Sequence, residues 1–207
     1  MTIVFDLDDT LYDEIDFVKS GLKAVSGYIN RIDSFEFMWE YFCLHGSGKI
    51  FDVLIETYQL SLPLAKLVEI YRFHQPTIVL DKSSKELLTF STQYHNALIT
   101  DGHIITQKNK YHALGLERYL GFVVFSDAWH TAKPNEILFK KVMHEYPHDH
   151  YVYIADNPKK DFISPRNLGW TSIRYKNPVG IYRNLENNAT FEVESKEQIL
   201  ELLKTVV

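Results

Sequence analysis

The sequence predicts an α/β fold in which a doubly wound parallel sheet carries an inserted α-helical cap. A first apolar run, Ile3–Phe5, opens the chain and reads as a strand. From residue 77 onward short apolar runs alternate with helical segments, a pattern typical of parallel strands joined by covering helices. Between these two parts the apolar periodicity is helical throughout. This interruption indicates that the helices form an insertion in the sheet domain.

The segment after the first strand contains four predicted amphipathic helices, because apolar residues recur there at steps of three and four. These helices cover residues 15–29, 35–44, 50–58 and 63–73. Four helices are more than one crossover between strands requires. We therefore expect a catalytic core of residues 1–13 and 77–207 and a helical cap of residues 14–76. Most aromatic side chains of this segment are expected in its core.

The remainder of the chain predicts the rest of a Rossmann-like parallel sheet. Helices are read from capping residues and apolar steps, and strands from short apolar runs. In chain order we expect a helix from Ser83 to about Gln93, a strand at Ala97–Ile99, a helix at Gln107–Leu114, a strand at Phe122–Phe125, a helix at Asn135–Glu145, a strand at Tyr151–Ala155, a helix near Phe162–Leu168 and a strand at Thr171–Arg174. An Asn-rich loop follows, and Ser195 with Gln198 resembles a capping box that opens a last helix ending near Leu203.

Composition excludes several classes of partner. The 207 residues are 45% hydrophobic and carry a net charge of -5, so they can bury a substantial core and offer no basic field for a nucleic acid polymer or an anionic membrane. No apolar run is long enough to cross a bilayer. The single cysteine, Cys43, favours a reducing compartment and a packing role. We expect a cytoplasmic protein, and nothing in the sequence indicates its oligomeric state.

Three carboxylates follow the first strand directly: Asp6, Asp8 and Asp9. Like charges at this spacing raise one another's pKa unless a cation or a shared proton offsets them. A hard divalent ion with oxygen ligands suits such a group. An acidic loop or a helix N-cap would account for Asp9 with Thr10, but it would leave Asp6 without a reason.

Polar residues also collect at other strand and helix ends. Thr100 and Asp101 end one strand, Lys133 precedes a helix, and Asp156 follows a strand with Asp161 five residues later. Each alone is ordinary turn chemistry. Because the carboxyl ends of parallel strands meet at one edge of a sheet, the whole set predicts an active site there.

These stretches resemble the motifs of the haloacid dehalogenase superfamily. Asp6-Leu7-Asp8-Asp9-Thr10-Leu11 is similar to its first motif, Thr100 to its second, Lys133-Pro134-Asn135 to its third and Ile154–Phe162 to its fourth. The sequence differs where many relatives have Asn, at Asp101, and where they have Gly, at Ala155. The set resembles the phosphatase branch, which has a helical cap after the first motif.

The resemblance implies a role for each motif residue. Asp6 is expected to attack phosphorus and form an aspartyl-phosphate. Asp8 is expected to protonate the leaving oxygen and then activate water, with a pKa raised by its neighbours. Thr100, Asp101 and Lys133 are expected to contact the phosphate group, with Lys133 neutralising charge.

The resemblance also implies a Mg²⁺ cofactor. Its expected ligands are the side chains of Asp6 and Asp156 and the backbone carbonyl of Asp8. Asp161 and Thr10 are expected to stabilise these ligands without binding the ion themselves. The expected function is a Mg²⁺-dependent phosphatase for small phosphate monoesters, either sugar phosphates or nucleoside monophosphates.

Two alternatives stay open at this stage: a phosphomutase of the same superfamily and a non-catalytic protein that binds phosphorylated metabolites. A dehalogenase is disfavoured because it would have no use for an acid/base at Asp8. His45, His103 and His130 are expected at the surface. Four lysines, Lys108, Lys110, Lys159 and Lys160, are expected on solvated faces.

Overall fold

The computed structural model describes residues 1–147 and 150–206, with the side chain of Val206 outside the description. Its strands are β1 (Thr2–Phe5), β2 (His95–Thr100), β3 (Phe122–Phe125), β4 (Tyr151–Ala155), β5 (Thr171–Tyr175) and β6 (Phe191–Val193). Its helices are α1 (Glu14–Ile29), α2 (Ser34–His45), α3 (Ile50–Tyr58), α4 (Leu64–Phe73), α5 (Lys82–Ser91), α6 (Ile104–Ala113), α7 (Glu136–Glu145), α8 (Ile163–Asn167) and α9 (Lys196–Val206). Two 3₁₀ turns occupy Leu116–Arg118 and Ser126–Trp129.

All six strands are parallel and form one sheet in the order β3-β2-β1-β4-β5-β6. Strand β1 lies at the centre, and its last residue, Phe5, pairs with Leu98 on one side and Ile154 on the other. The chain therefore leaves β1, β2 and β4 at the same edge of the sheet. The predicted fold class, including a helical insertion between β1 and β2, is confirmed.

The sheet is buried on both faces, as expected for a parallel sheet between helices. Val4, Ile99 and Tyr153 are fully buried and pack with Phe139 of α7 in one apolar cluster. Each such side chain contributes about 1.5–3 kcal/mol by leaving water. This packing fixes the strand ends from which the polar residues project.

The chain divides into two units, Met1–Glu14 with Val79–Val207, and Ile15–Ile78. The second unit contains α1 to α4, apart from the first residue of α1, and has its own apolar core. The buried members of that core are mainly aliphatic: Val18, Leu22, Val25, Met38, Ile50, Phe51, Leu54 and Leu67. The expectation for the aromatic side chains is confirmed only in part, because those of α2 pack against this core but are partly buried, and Tyr28 is 51% exposed. Cys43 is exposed, so its predicted packing role is also wrong.

Helix ends follow capping chemistry, with one change of residue. Asp81, not Ser83, caps α5 by accepting a hydrogen bond from the Ser84 N–H. The capping box of α9 is confirmed, since the Ser195 N–H donates to Gln198 Oε1 and the Gln198 N–H donates to Ser195 Oγ. Strand β6 was not predicted. None of the described helices is both long and apolar enough to cross a membrane.

Candidate active site

The carboxyl edge of the sheet brings together residues that are far apart in the sequence. Asp6 follows β1, Thr100 ends β2 and Asp156 follows β4. Since Phe5 pairs with Leu98 and Ile154, the register places Thr100 and Asp156 one residue beyond the level of Asp6 on the two neighbouring strands. All three side chains are buried. Lys133, which lies in the loop before α7, also contacts Asp6. The peptide bond between Lys133 and Pro134 is cis.

Lys133 is a buried cation between two carboxylates. Its Nζ lies 2.6 Å from Asp6 Oδ1 and 2.7 Å from Asp161 Oδ1, and it donates to the Tyr153 hydroxyl at 3.2 Å. Burial lowers the pKa of Lys133, but Asp161 and Asp6 outweigh it and hold that pKa well above its ordinary value. The ammonium therefore stays charged and fixes the orientation of Asp6.

Three carboxylates lie close enough together to share a metal ion. One oxygen each from Asp6, Asp156 and Asp161 falls within 4.8 Å of the others. Burial raises the pKa of Asp156 to about 9, and repulsion from Asp6 and Asp161 adds to this rise. Burial also raises the pKa of Asp6 to about 7, although Lys133 opposes it. One lysine therefore does not compensate the charge of this group.

The donor chemistry of the group fits a hard divalent cation. Its oxygen ligands are those that Mg²⁺ prefers, and a cation would remove the repulsion that raises the two pKa values. Both carboxylate oxygens of Asp161 already have protein partners, because Oδ1 contacts Lys133 and Oδ2 accepts the Asn157 N–H at 3.1 Å. Asp156 forms no ion pair among the described residues, and Lys133 lowers its pKa less than burial and the neighbouring carboxylates raise it, so its carboxylate is the most available of the three to bind a metal.

The Asp8 carboxylate points to a different group of side chains. Oδ1 accepts from Tyr12 at 2.5 Å and from Lys110 at 2.7 Å, and Oδ2 accepts from Gln107 Nε2 at 3.1 Å. Burial raises the pKa of Asp8, but the ion pair with Lys110 and these hydrogen bonds outweigh burial, so the net pKa is below its ordinary value. The expectation of a raised pKa at Asp8 is therefore wrong.

Lys110 is the site residue that the sequence analysis misjudged most. Its side chain is only 3% exposed and pairs with Asp8 across 102 positions of sequence. The signal was present in α6, where the buried residues are Thr106, Gln107 and Lys110. These polar residues, at positions i, i+1 and i+4, turn one face of the helix inward, which indicates a functional interior.

Lys160 also differs from its prediction. Its Nζ lies 2.7 Å from Asp101 Oδ2, and the side chain is 33% exposed. Asp101 Oδ1 in turn accepts the Lys133 backbone N–H at 3.1 Å. Burial raises the pKa of Asp101, but Lys133 and Lys160 outweigh it and lower that pKa. Asp101 is therefore a compensated carboxylate.

Two threonine hydroxyls are available to a ligand. The Oγ1 atoms of Thr100 and Thr10 are buried and have no hydrogen-bond partner among the described residues. A buried unpaired hydroxyl costs about 1–3 kcal/mol, so a ligand oxygen or water is the expected partner. This arrangement suits the predicted contact of Thr100 with a phosphate group.

The loop after β5 supports the site and was not identified from the sequence. Arg174, which is 1% exposed, donates to the carbonyl oxygens of Tyr182 and Leu185 and to Glu192. Asn177 Nδ2 donates to the carbonyl of Asp9 at 3.0 Å. These bonds attach the loop to the turn that carries the first motif.

The remaining candidates lie at the surface as predicted. His45, His103 and His130 are exposed, and so are Lys108 and Lys159. His103 caps α6, because its Nδ1 accepts the Ile105 N–H.

Comparison with known proteins places this site in a family. Residues 3–175 match the family described as haloacid dehalogenase-like hydrolase. The glyceraldehyde 3-phosphate phosphatase of Methanocaldococcus jannaschii is 26% identical over 225 residues, which covers 99% of this chain and 97% of that protein. A protein of the same name from Pyrococcus furiosus is 26% identical over 223 residues, covering 98% of this chain and 92% of that protein.

Solved structures share the fold. The HAD-hydrolase YfnB of Bacillus subtilis, bound to magnesium, superposes with a TM-score of 0.72 at 19% identity, covering 98% of this chain and 97% of that one. The 2-haloacid dehalogenase of Pseudomonas syringae pv. Tomato gives a TM-score of 0.69 at 17% identity, covering 100% and 99%. The family match over most of the chain confirms the resemblance read from the motifs: this chain belongs to the haloacid dehalogenase-like hydrolases.

Proposed function

We propose that this chain is a Mg²⁺-dependent phosphatase that hydrolyses small phosphate monoesters through an aspartyl-phosphate on Asp6. The observation that carries the proposal is the buried group in which Lys133 Nζ holds Asp6 at 2.6 Å beside Asp156 and Asp161. Mg²⁺ held by Asp6, Asp156 and the Asp8 carbonyl would reduce the repulsion between the nucleophile and an anionic phosphate.

The chain's own residues account for two displacements at phosphorus. In the first, an Asp6 oxygen bonds to phosphorus while the bond to the leaving oxygen breaks, and Asp8 gives that oxygen a proton. Asp8 must take up this proton when the anionic substrate binds, because Lys110 and the hydrogen bonds lower its pKa in the free protein and a neighbouring phosphate charge raises it. In the second, Asp8 takes a proton from water as the water attacks phosphorus, and the bond to Asp6 breaks to release inorganic phosphate. Thr100 donates a hydrogen bond to a phosphate oxygen.

The substrate class is proposed to be sugar phosphates, with triose phosphates among them, in preference to nucleoside monophosphates. Two relatives of nearly the same length are named glyceraldehyde 3-phosphate phosphatases, and this supports the choice. We further propose that the helical segment expected over residues 14–76 selects among these substrates.

The test is hydrolysis of p-nitrophenyl phosphate by wild type, Asp6→Asn and Asp13→Asn, each with Mg²⁺ and with chelator, followed by a panel of phosphorylated metabolites. Asp6→Asn removes the nucleophilic charge at nearly constant shape and is expected to reduce turnover to background. Asp13→Asn makes the same chemical change while keeping an oxygen for its hydrogen bond from Asn177, and it is expected to keep activity. Full activity in Asp6→Asn, or in chelator, would refute the mechanism. Conversion of a sugar 1-phosphate to its 6-phosphate without phosphate release would replace it with a mutase.

A further inference from the structure

The Asp101–Lys160 ion pair lies beside the reacting groups and has no role in the mechanism above. Asp101 follows β2, and Lys160 immediately precedes Asp161. Their side chains are 15% and 33% exposed, and their charged atoms are 2.7 Å apart. Burial raises the pKa of Asp6, and Lys160 is one of the two cations that lower it. Asp101 accepts the backbone N–H of Lys133 at 3.1 Å, and Lys133 Nζ lies 2.6 Å from Asp6 Oδ1, so the ion pair adjoins the residue that contacts the nucleophile.

Lys133 cannot supply all of the donors that a phosphate group needs. An ammonium group has three N–H donors. Those of Lys133 are directed at Asp6 Oδ1 at 2.6 Å, Asp161 Oδ1 at 2.7 Å and the Tyr153 hydroxyl at 3.2 Å. With its side chain 0% exposed, Lys133 has its N–H groups directed at protein oxygens, so a second cation at the site would add donors for the phosphate.

The Lys160 ammonium has N–H donors that are available to a ligand. Among the described residues, its ammonium contacts only Asp101, which leaves two N–H groups. The side chain is one-third exposed, so a ligand can reach it. Asp101 is itself fixed by the Lys133 backbone N–H at 3.1 Å, so the ion pair is anchored to the same loop as Lys133.

We propose that Lys160 binds a non-bridging oxygen of the substrate phosphate and that Asp101 is the positioning residue that aims it. The inference rests on the proposed phosphatase function and adds a second cation to its phosphate site. It also accounts for a carboxylate at position 101, because the pair as a whole is neutral and does not repel an anionic substrate. The competing explanation is that Lys160 merely neutralises Asp101.

A double-mutant cycle separates the two explanations. The proteins are wild type, Lys160→Met, Asp101→Asn and the double variant, with Lys159→Met as the matched control. Lys159 is the neighbouring lysine, is exposed, and lies 6.0 Å from the Tyr182 ring. Each protein is measured for the Kd of inorganic phosphate with Mg²⁺ by calorimetry and for kcat and KM with p-nitrophenyl phosphate.

Lys160→Met is expected to raise the phosphate Kd and the KM by about 10- to 100-fold, the loss of one charge-assisted hydrogen bond. Asp101→Asn should give an intermediate Kd, because the amide oxygen still accepts from Lys160 but no longer attracts it by charge. The double variant should remain at least about tenfold weaker than wild type. Lys159→Met should bind phosphate like wild type.

A double variant that binds phosphate as tightly as wild type would overturn the proposal, since neutralisation alone would then explain Lys160. Equal losses in Lys159→Met and Lys160→Met would also overturn it, because they would indicate a general effect of charge. If Lys160→Met does not fold, as judged by circular dichroism, Lys160→Gln takes its place in the cycle. A wild type that binds phosphate with Mg²⁺ but hydrolyses no monoester would refute the proposed function and leave the phosphate Kd values to decide the role of Lys160.

Discussion

Asp8 is ion-paired with the buried ammonium of Lys110 at 2.7 Å, and Tyr12 and Gln107 add neutral hydrogen bonds. Lys110→Met is expected to lower kcat by about 10- to 100-fold with a smaller change in KM, because a misplaced proton-transfer group slows the chemical step more than it weakens binding. Steady-state kinetics with p-nitrophenyl phosphate and Mg²⁺ measure this split.

Lys196→Met is the matched control for losing a buried lysine. Lys196 is 5% exposed, pairs with Asp81 at 2.7 Å and donates to the Leu11 carbonyl at 3.4 Å, so it contacts the backbone of the first-motif turn and not the Asp8 carboxylate. It is expected to lose stability in a denaturant titration while keeping kcat. Lys110→Arg should recover part of the rate, because the guanidinium can still donate to Asp8. Equal losses of kcat in Lys110→Met and Lys196→Met would show that the Lys110 effect is only a loss of stability.

Single residues were predictable where the residue type and its strand-end position carry the information. The meeting of Asp6 with Lys133 and with Asp156 at one edge of the sheet was predicted in this way. Lys110 was not, because whether a lysine on a helix is solvated or buried depends on its partner, and Asp8 is 102 positions away. Lys160 was missed for the same reason, since its partner Asp101 is 59 positions away.

At the scale of a structural element, the turn between β2 and α6 depends on Gly102. Gly102 has φ +125, and a Cβ atom there would lie 2.6 Å from Gln107 Nε2. Gln107 Nε2 donates to Asp8 and to the Asp101 carbonyl. Gly102→Ala is therefore expected to destabilise the fold by about 1–3 kcal/mol and to lower kcat, because Gln107 must move. Urea unfolding and steady-state kinetics test both effects.

Gly27→Ala is expected to change stability in the opposite direction to Gly102→Ala. Gly27 is in the interior of helix α1, and a Cβ atom there meets nothing within 4 Å. Its replacement is expected to stabilise the protein by about 0.5–1 kcal/mol without changing kcat. A Gly102→Ala protein as stable as Gly27→Ala would mean that the turn does not need its left-handed conformation.

Elements were predictable where the apolar period was long enough to read. The four helices α1 to α4 follow their patterns because one face of each is buried, whereas the central strands read as short apolar runs because both of their faces are buried. Strand β6 has three residues, of which Phe191 and Glu192 are exposed, so no period marks it. It exists because its backbone pairs with β5. The cap of α5 was also misassigned because it depends on a distant partner: Asp81, the observed cap, forms an ion pair with Lys196 of α9.

At the scale of the whole molecule, the metal-free site opposes folding. The pKa of Asp156 rises from 3.8 to about 9 and that of Asp6 from 3.8 to about 7, chiefly through burial. The folded chain thus holds protons that the unfolded chain releases. The stability associated with these groups is present below the unfolded pKa and is lost as pH rises through the folded values.

Thermal unfolding between pH 4 and pH 8 tests this linkage. Without metal, Asp156→Asn is expected to have the wild-type Tm near pH 4 and a higher Tm than wild type at pH 8, because the amide keeps the shape and removes the buried charge. Mg²⁺ should raise the wild-type Tm more at pH 8 than near pH 5, since a cation that binds only the folded state stabilises it by mass action and competes there with fewer protons. Asp156→Asn should lose most of that Mg²⁺ shift, whereas Asp13→Asn should keep it. A Mg²⁺ shift of equal size in wild type and Asp156→Asn would exclude Asp156 from the metal site and would place the cation elsewhere among the carboxylates of the chain.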